Sequence, residues 1–93
     1  MKLNRTAFEL AGPAGSVRLA NKEYQMLEMF MRNPGQVISA ERFMEKIWGY
    51  DSEAEINVVW VNISGLRKKI SQVGAHNEIK AIRGAGYLLE KSV

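Results

Sequence analysis

The sequence of 93 residues predicts a single α+β domain over 1–93, with a small N-terminal antiparallel sheet, three helices and a C-terminal β-hairpin. Near both ends of the chain, apolar residues alternate with polar ones, which is the period of a strand with one buried face. In the middle, apolar residues recur every three or four positions, which is the period of a half-buried helix. Because the strands are grouped at the ends, alternating β/α units are excluded.

The N-terminal sheet is predicted from two short alternating segments. Residues 8–10 and 17–19 each place a polar residue between two apolar ones. The segment between them, 11–15, contains two glycines and a proline, which is typical of a hairpin connection. These features indicate a pair of antiparallel strands before the first helix.

Two helices follow, each with one apolar face and a clear end. The first is predicted over 22–32 and ends at the Asn-Pro-Gly sequence 33–35, because proline disfavours helical geometry in the residue before it. The second is predicted over about 40–48, with Ser39 as its N-cap. The residues expected to face inward are Tyr24, Leu27, Phe30 and Met31 in the first helix and Phe43, Met44, Ile47 and Trp48 in the second.

The most regular pattern predicts a third helix over about 55–72. The apolar residues that define its buried face are Ile56, Val59, Ile63, Leu66, Ile70 and Val73. At about 100° per residue, the opposite face holds Asn57, Val58, Val61, Asn62, Gly65, Lys68 and Lys69. Valines on an outward face, beside a glycine that costs a helix about 1 kcal/mol relative to alanine, are not typical of a plain solvated surface.

A C-terminal hairpin is predicted over about 79–89, with its turn at 84–86. Helix, loop, amphipathic helix and hairpin in this order are the layout of a winged helix-turn-helix. An α-helix fits the major groove of duplex DNA, and a hairpin beside it can reach the minor groove or the phosphates. The cations expected to meet the DNA are Lys68, Lys69, Lys80 and Arg83.

Composition and motifs argue against catalysis. The absence of cysteine excludes disulfides and thiolate zinc sites, and the lone His76 excludes a multi-histidine metal site. There is no G-x-S-x-G elbow, and the acidic residues between 51 and 55 lack the rest of a calcium-loop pattern. We therefore predict a non-enzyme without metal or cofactor. No stretch approaches the ~18 apolar residues of a membrane span, so no membrane partner is expected.

Four segments resemble the C-terminal effector domains of OmpR/PhoB-type response regulators. Residues 57–70 resemble their recognition helix, and residues 82–87 (IRGAGY) resemble their wing, which usually reads V-R-G-x-G-Y. Residues 19–24 resemble the L-T-x-K-E-F entry to their first helix, and 47–49 match the W-G ending of their second. The similarity covers the chain from about Phe8 to Glu90.

The resemblance implies a cytoplasmic domain that binds double-stranded promoter DNA sequence-specifically in a bacterial two-component phosphorelay. A receiver domain would precede it in the full-length protein, and binding to direct repeats would produce a weak or DNA-induced head-to-tail dimer. The loop 49–54 corresponds to a segment that touches RNA polymerase in some relatives, although a solvated acidic loop explains it equally. By position, the DNA-binding residues would be Asn57, Val58, Val61, Asn62 and Gly65 in the major groove, Arg67 and Lys68 at phosphate, and Arg83 in the minor groove.

Some positions depart from the family pattern. Gly65 stands where relatives often carry arginine or tyrosine, so direct readout is expected to depend on Asn57 and Asn62, or specificity on DNA shape. Ala20 replaces a usual capping threonine, which weakens the start of the first helix unless Asn21 substitutes.

Other interpretations remain open. A winged-helix protein-interaction module would use Val58 and Val61 to bind a protein partner. RNA binding is disfavoured because no exposed aromatic platform is evident, with Trp48 and Trp60 expected in the core or at its rim. A solvated helix end, favoured by the helix dipole, would explain the charges at 67–69. Since no long exposed apolar stripe remains, the chain is expected to be largely monomeric.

Overall fold

The computed structural model describes residues 1–49 and 53–91, and it confirms the predicted α+β winged-helix fold. The N-terminal strands are β1 (Lys2–Asn4), β2 (Glu9–Gly12) and β3 (Gly15–Arg18). The helices are α1 (Asn21–Arg32), α2 (Ala40–Phe43), continued by a π-helical turn over Met44–Trp48, and α3 (Asn57–Gln72). The C-terminal hairpin consists of β4 (Asn77–Ile82) and β5 (Gly86–Lys91). In the described part of the chain, no helix combines the length and apolar character needed to cross a bilayer.

The N-terminal sheet is antiparallel with the strand order β1-β2-β3, and Leu10 of β2 pairs with Leu3 on one side and Val17 on the other. Strands β2 and β3 confirm the predicted pair. Strand β1 was not predicted, because three residues with a single apolar member give no recognisable alternation. The Asn4 side chain shapes the turn after β1 by accepting hydrogen bonds from the backbone N–H groups of Thr6 (2.9 Å) and Ala7 (3.0 Å).

Two residues predicted to lie in these strands lie just outside them. Phe8 precedes β2 with a φ of 53°, and its ring stacks on that of Tyr24 with the centroids 4.6 Å apart. Leu19 follows β3, and its N–H donates to the Phe8 carbonyl at 2.7 Å. Both side chains still pack into or against the core. The alternation therefore predicted correctly that they face inward, although neither residue belongs to a strand.

One hydrophobic core joins the sheet, the helices and the hairpin. The rings of Phe30 in α1 and Phe43 in α2 meet edge to face at its centre, with the centroids 5.1 Å apart. The buried apolar side chains are Leu10, Leu19, Tyr24, Met26, Leu27, Phe30, Ile38, Phe43, Val59, Ile63, Leu66, Ile70, Val73, Ile79 and Leu89. The core therefore fixes α3 by one face and leaves the opposite face free.

Two predicted core residues are exposed instead. Ile56 is 50% exposed. It lies before Asn57, the first residue of α3, and so is not part of the helix whose buried face was predicted to include it. Met31 is also exposed, since the buried face of α1 is centred on Leu27 and Phe30 and takes in Met26. The predicted buried face of α1 therefore included Met31, which is exposed, and left out Met26, which is buried.

The second helix has the predicted extent but an unexpected geometry. Ser39 caps it as predicted, its hydroxyl accepting a hydrogen bond from the Arg42 N–H at 3.1 Å. After Phe43 the helix widens into a π-helical turn, which ends when the Gly49 N–H donates to the Met44 carbonyl at 2.8 Å. Residue periodicity does not separate these two helical forms over so short a segment.

The C-terminal hairpin is anchored to the link between α1 and α2. Ile38 and Tyr87 exchange two backbone hydrogen bonds, of 2.7 and 2.9 Å, which form a single β-bridge between the link and the two-stranded hairpin. Gly86 adopts a φ of +147°, and a Cβ there would collide with the Ile38 carbonyl. The close approach of the two backbones explains the glycine and fixes where the hairpin leaves the core.

Candidate nucleic-acid interface

The face of α3 that points away from the core carries a straight line of four residues. Asn57, Val61, Ser64 and Lys68 follow one another at spacings of four, three and four, which places them in one row along the helix. Three of them are exposed and Ser64 is half-buried. We call these four residues the outward stripe. Val61 is 56% exposed although it is apolar.

The outward stripe contains only some of the residues predicted to contact DNA. Asn57, Val61 and Lys68 belong to it, together with Ser64, which was not among the predicted residues although it lies seven residues after Asn57 on the same face. The other predicted members of this face are half-buried along one flank of the helix, namely Val58, Asn62, Gly65 and Lys69. The predicted face was therefore turned toward α1, and whether the flank residues contact DNA stays a prediction.

The flank of α3 is held by a buried carboxylate from α1. Glu23 is only 7% exposed, and its Oε1 accepts hydrogen bonds from the Ala20 N–H at 2.8 Å and from the Lys69 ammonium. A Cβ at position 65 would collide with Oε2 of the same carboxylate. The Lys69 charge is thus used inside the fold, and the missing side chain of Gly65 makes room for Glu23.

The Glu23 carboxylate also supplies the cap at the N-terminus of α1. Ala20 has no side chain that could accept a hydrogen bond, and Asn21 does not substitute, since its Oδ1 accepts from the Gln25 side chain at 3.1 Å. Instead, Glu23 reaches back to the Ala20 N–H, which is the half of a capping box that the glutamate supplies.

Asn62 and Arg67 are also engaged within the fold. The Asn62 side-chain amide donates to the Val58 carbonyl one turn earlier, at 2.8 Å. The Arg67 guanidinium donates from Nε and Nη2 to the Ile79 carbonyl, at 3.1 and 2.9 Å, and so ties α3 to β4. Arg67 is nevertheless exposed, so part of its charge faces solvent beside the hairpin.

The hairpin carries two exposed cations with different surroundings. Lys80 pairs across the strands with Glu90 at 2.9 Å, and this hydrogen bond, with the attraction of the carboxylate, raises the pKa of the Lys80 ammonium. Arg83 lies in the turn, is exposed, and forms no ion pair with any described residue. Of the two, Arg83 is the one whose charge is free for an anionic partner.

An exposed apolar pair lies beside the first turn of α3. Trp60 is 59% exposed and lies one turn after Ile56, which is 50% exposed. The core position considered for Trp60 is therefore wrong, whereas Trp48 is half-buried against the core as expected. The expectation of a monomer had assumed that no such surface remained, and this pair removes that argument.

The loop 49–54, considered for a contact with RNA polymerase, belongs only in part to the described residues, because 50–52, including Asp51, lie outside them. Glu53 and Glu55 are exposed on the side of the loop that leads into α3.

One face of α3 is buried in the core and the opposite face carries the exposed outward stripe, while the adjacent hairpin has at its turn an arginine without an ion-pair partner among the described residues. These features define a winged-helix DNA-binding domain. The chain belongs to the family described as "Transcriptional regulatory protein, C terminal", whose pattern matches residues 14–89. Within it, the chain is an effector domain of the response-regulator type. The interpretation as a protein-interaction module is not favoured, and its surface is incomplete because Val58 is half-buried.

Named relatives and solved structures agree with this family. The chain is 41% identical over 91 residues to the transcriptional regulatory protein DltR of Streptococcus agalactiae, covering 98% of this chain but 41% of DltR. The C-terminal domain of the nisin resistance regulator NsrR is 36% identical, with a TM-score of 0.81 and coverage of 99% and 93% of the two chains. The DNA-binding domain of the response regulator AdeR shares the fold, at 22% identity and a TM-score of 0.80 over 97% and 93%.

Proposed function

We propose that this chain binds double-stranded promoter DNA sequence-specifically, with α3 in the major groove and the β4–β5 hairpin at the minor groove. The observation that carries the proposal is the outward stripe of α3 together with Arg83, which forms no ion pair with any described residue and lies at the turn of the hairpin that Arg67 ties to α3. An α-helix fits the major groove, and a narrow minor groove attracts an arginine through its negative potential. The AdeR domain, which has the same fold, was solved in complex with an intercistronic region, and this supports a DNA partner.

The proposed contacts divide into three groups. Asn57, Val61 and Ser64 face the base edges, and the remaining predicted residues Val58, Asn62 and Gly65 border them. Lys68 and the exposed part of Arg67 meet phosphate. Lys69 and Lys80 contribute less than predicted, because each already has a carboxylate partner. This grouping assigns the phosphate contacts, including that of Lys68, to positioning and the three uncharged residues of the outward stripe to readout.

The rest of the proposal concerns a longer protein that would contain this domain. Relatives such as DltR are more than twice as long as this chain. This part of the proposal comprises a receiver domain that controls binding by phosphorylation in a bacterial two-component system, and a cytoplasmic location. It also comprises a weak or DNA-induced head-to-tail dimer on direct repeats and a contact between the loop 49–54 and RNA polymerase. The domain itself acts by binding, without catalysis, metal or cofactor.

Selection from a pool of random duplexes tests this proposal. At near-physiological salt, we expect enrichment of a short motif, present as a direct repeat with a spacing of about one helical turn of DNA. A pool of single strands of the same composition is the control and should yield no motif. Recovery of duplexes without any enriched sequence would contradict sequence-specific binding and leave only charge attraction.

A further inference from the structure

The centre of the outward stripe is apolar, and this feature is not explained by the fold. Val61 lies one turn after Asn57 and nearly one turn before Ser64, so polar residues flank it along the row. Its side chain is 56% exposed, while the neighbouring Val59 is buried in the core. Val61 therefore contributes little to the core, and its apolar surface is available to a partner.

The flank of α3 beside Val61 offers few polar groups for reading bases. Gly65, one turn after Val61 on this flank, has no side chain, and the Asn62 side-chain NH2 donates to the Val58 carbonyl. Lys69 is held by Glu23. Between Asn57 and Ser64, which can form hydrogen bonds on either side, the row therefore offers only the branched apolar side chain of Val61.

The major groove presents one apolar group at its base edges, the C5-methyl of thymine, and all other groups that it exposes there are hydrogen-bond donors or acceptors. An exposed valine would leave the donors and acceptors of a G·C pair unsatisfied, whereas against a thymine methyl both partners lose apolar surface to water. Contact with a methyl group thus favours a T·A pair at this place and disfavours G·C.

We propose that Val61 is a specificity-determining residue that recognises the C5-methyl group of a thymine in each half-site. The proposal rests on the proposed function, because it requires α3 to lie in the major groove with its outward stripe toward the bases. It assigns one T·A pair of the unknown target to one residue of this chain.

Deoxyuridine tests the proposal directly, because it pairs with adenine as thymidine does and lacks only the methyl group. The probe is the duplex enriched from the random pool, with each thymidine replaced in turn by deoxyuridine. We expect one position per half-site at which the replacement weakens binding about fourfold, the effect of losing one buried methyl-sized group. Val61→Ala should bind the thymidine duplex more weakly and should no longer distinguish the two bases at that position.

The matched control is Val37→Ala, which shortens another exposed valine outside α3 and should keep the full sensitivity to deoxyuridine. The proposal is overturned if the native chain binds all deoxyuridine duplexes equally, or if Val61→Ala keeps the same sensitivity. Alanine is favourable within a helix, and circular dichroism of Val61→Ala should match that of the native chain. Failure of the proposed function is distinguishable, because then no duplex is enriched at all.

Discussion

Replacement of Lys69 by methionine is expected to lower the free energy of unfolding by about 1–3 kcal/mol, because it removes the charged partner of a buried carboxylate. Glu23 is 7% exposed and has two partners, the Ala20 N–H and the Lys69 ammonium. Methionine retains most of the length and apolar stem of lysine, so the change removes the charge with little loss of packing. Urea unfolding followed by circular dichroism measures the effect.

Lys68→Met is the matched control for this prediction. Lys68 is the preceding residue of the same helix and is exposed, so its replacement should change stability by no more than about 0.5 kcal/mol. Adding Glu23→Gln to Lys69→Met should restore part of the loss, since a neutral amide oxygen can still accept from the Ala20 N–H. Equal stability of the Lys68→Met and Lys69→Met variants would show that the buried pair does not hold α1 against α3.

Removing the two unpaired cations of the interface is expected to have the largest effect on DNA binding. The double variant Lys68→Ala/Arg83→Ala should reduce the slope of log K against log [salt] by about 1.8, since each cation that neutralises DNA charge, Lys68 at a phosphate and Arg83 between the phosphates that border the minor groove, contributes about 0.9. At 0.1 M salt the same two contacts correspond to a loss of affinity of roughly 60-fold. Titration of the enriched duplex at several salt concentrations measures both quantities.

Lys2→Ala/Arg18→Ala provides the control with the same change in net charge. Both residues are exposed on the three-stranded sheet, outside α3 and the hairpin. This variant should retain nearly the full slope, because long-range charge attraction alone is screened over about 8 Å at physiological salt. If both double variants reduce the slope of log K against log [salt] by the same amount, net charge and not a defined interface governs binding.

Much of the fold could be predicted because periodicity reports which face of an element is buried. The spacing of Val59, Ile63, Leu66 and Ile70 predicted α3. Two short apolar segments on either side of a glycine-containing turn predicted the C-terminal hairpin. Strand β1 escaped, since its three residues depend on pairing with β2 and not on a pattern of their own. The π-helical turn escaped because its apolar spacing resembles that of an α-helix.

The arrangement of the predicted site residues around α3 could not be foreseen in full, and the reason is physical. Periodicity separates the core face of α3 from everything else, but it does not divide the remaining surface into a free face and a flank. That division depends on Glu23, which is 46 residues before Lys69 in the sequence and adjacent to it in space. The contact explains why Gly65 and Lys69 lie toward α1 while Ser64, which the prediction omitted, joins the outward stripe.

The central claim is that this domain reads a DNA sequence, and a competition titration tests it most directly. The enriched duplex is bound to the native chain at 0.15 M salt and displaced by unlabelled duplex, either identical or with the same bases in scrambled order. We predict that the identical duplex competes at least about 10³-fold more effectively, the usual margin between specific and non-specific sites. Equal competition by the scrambled duplex would contradict the account, because charge would then explain all of the binding.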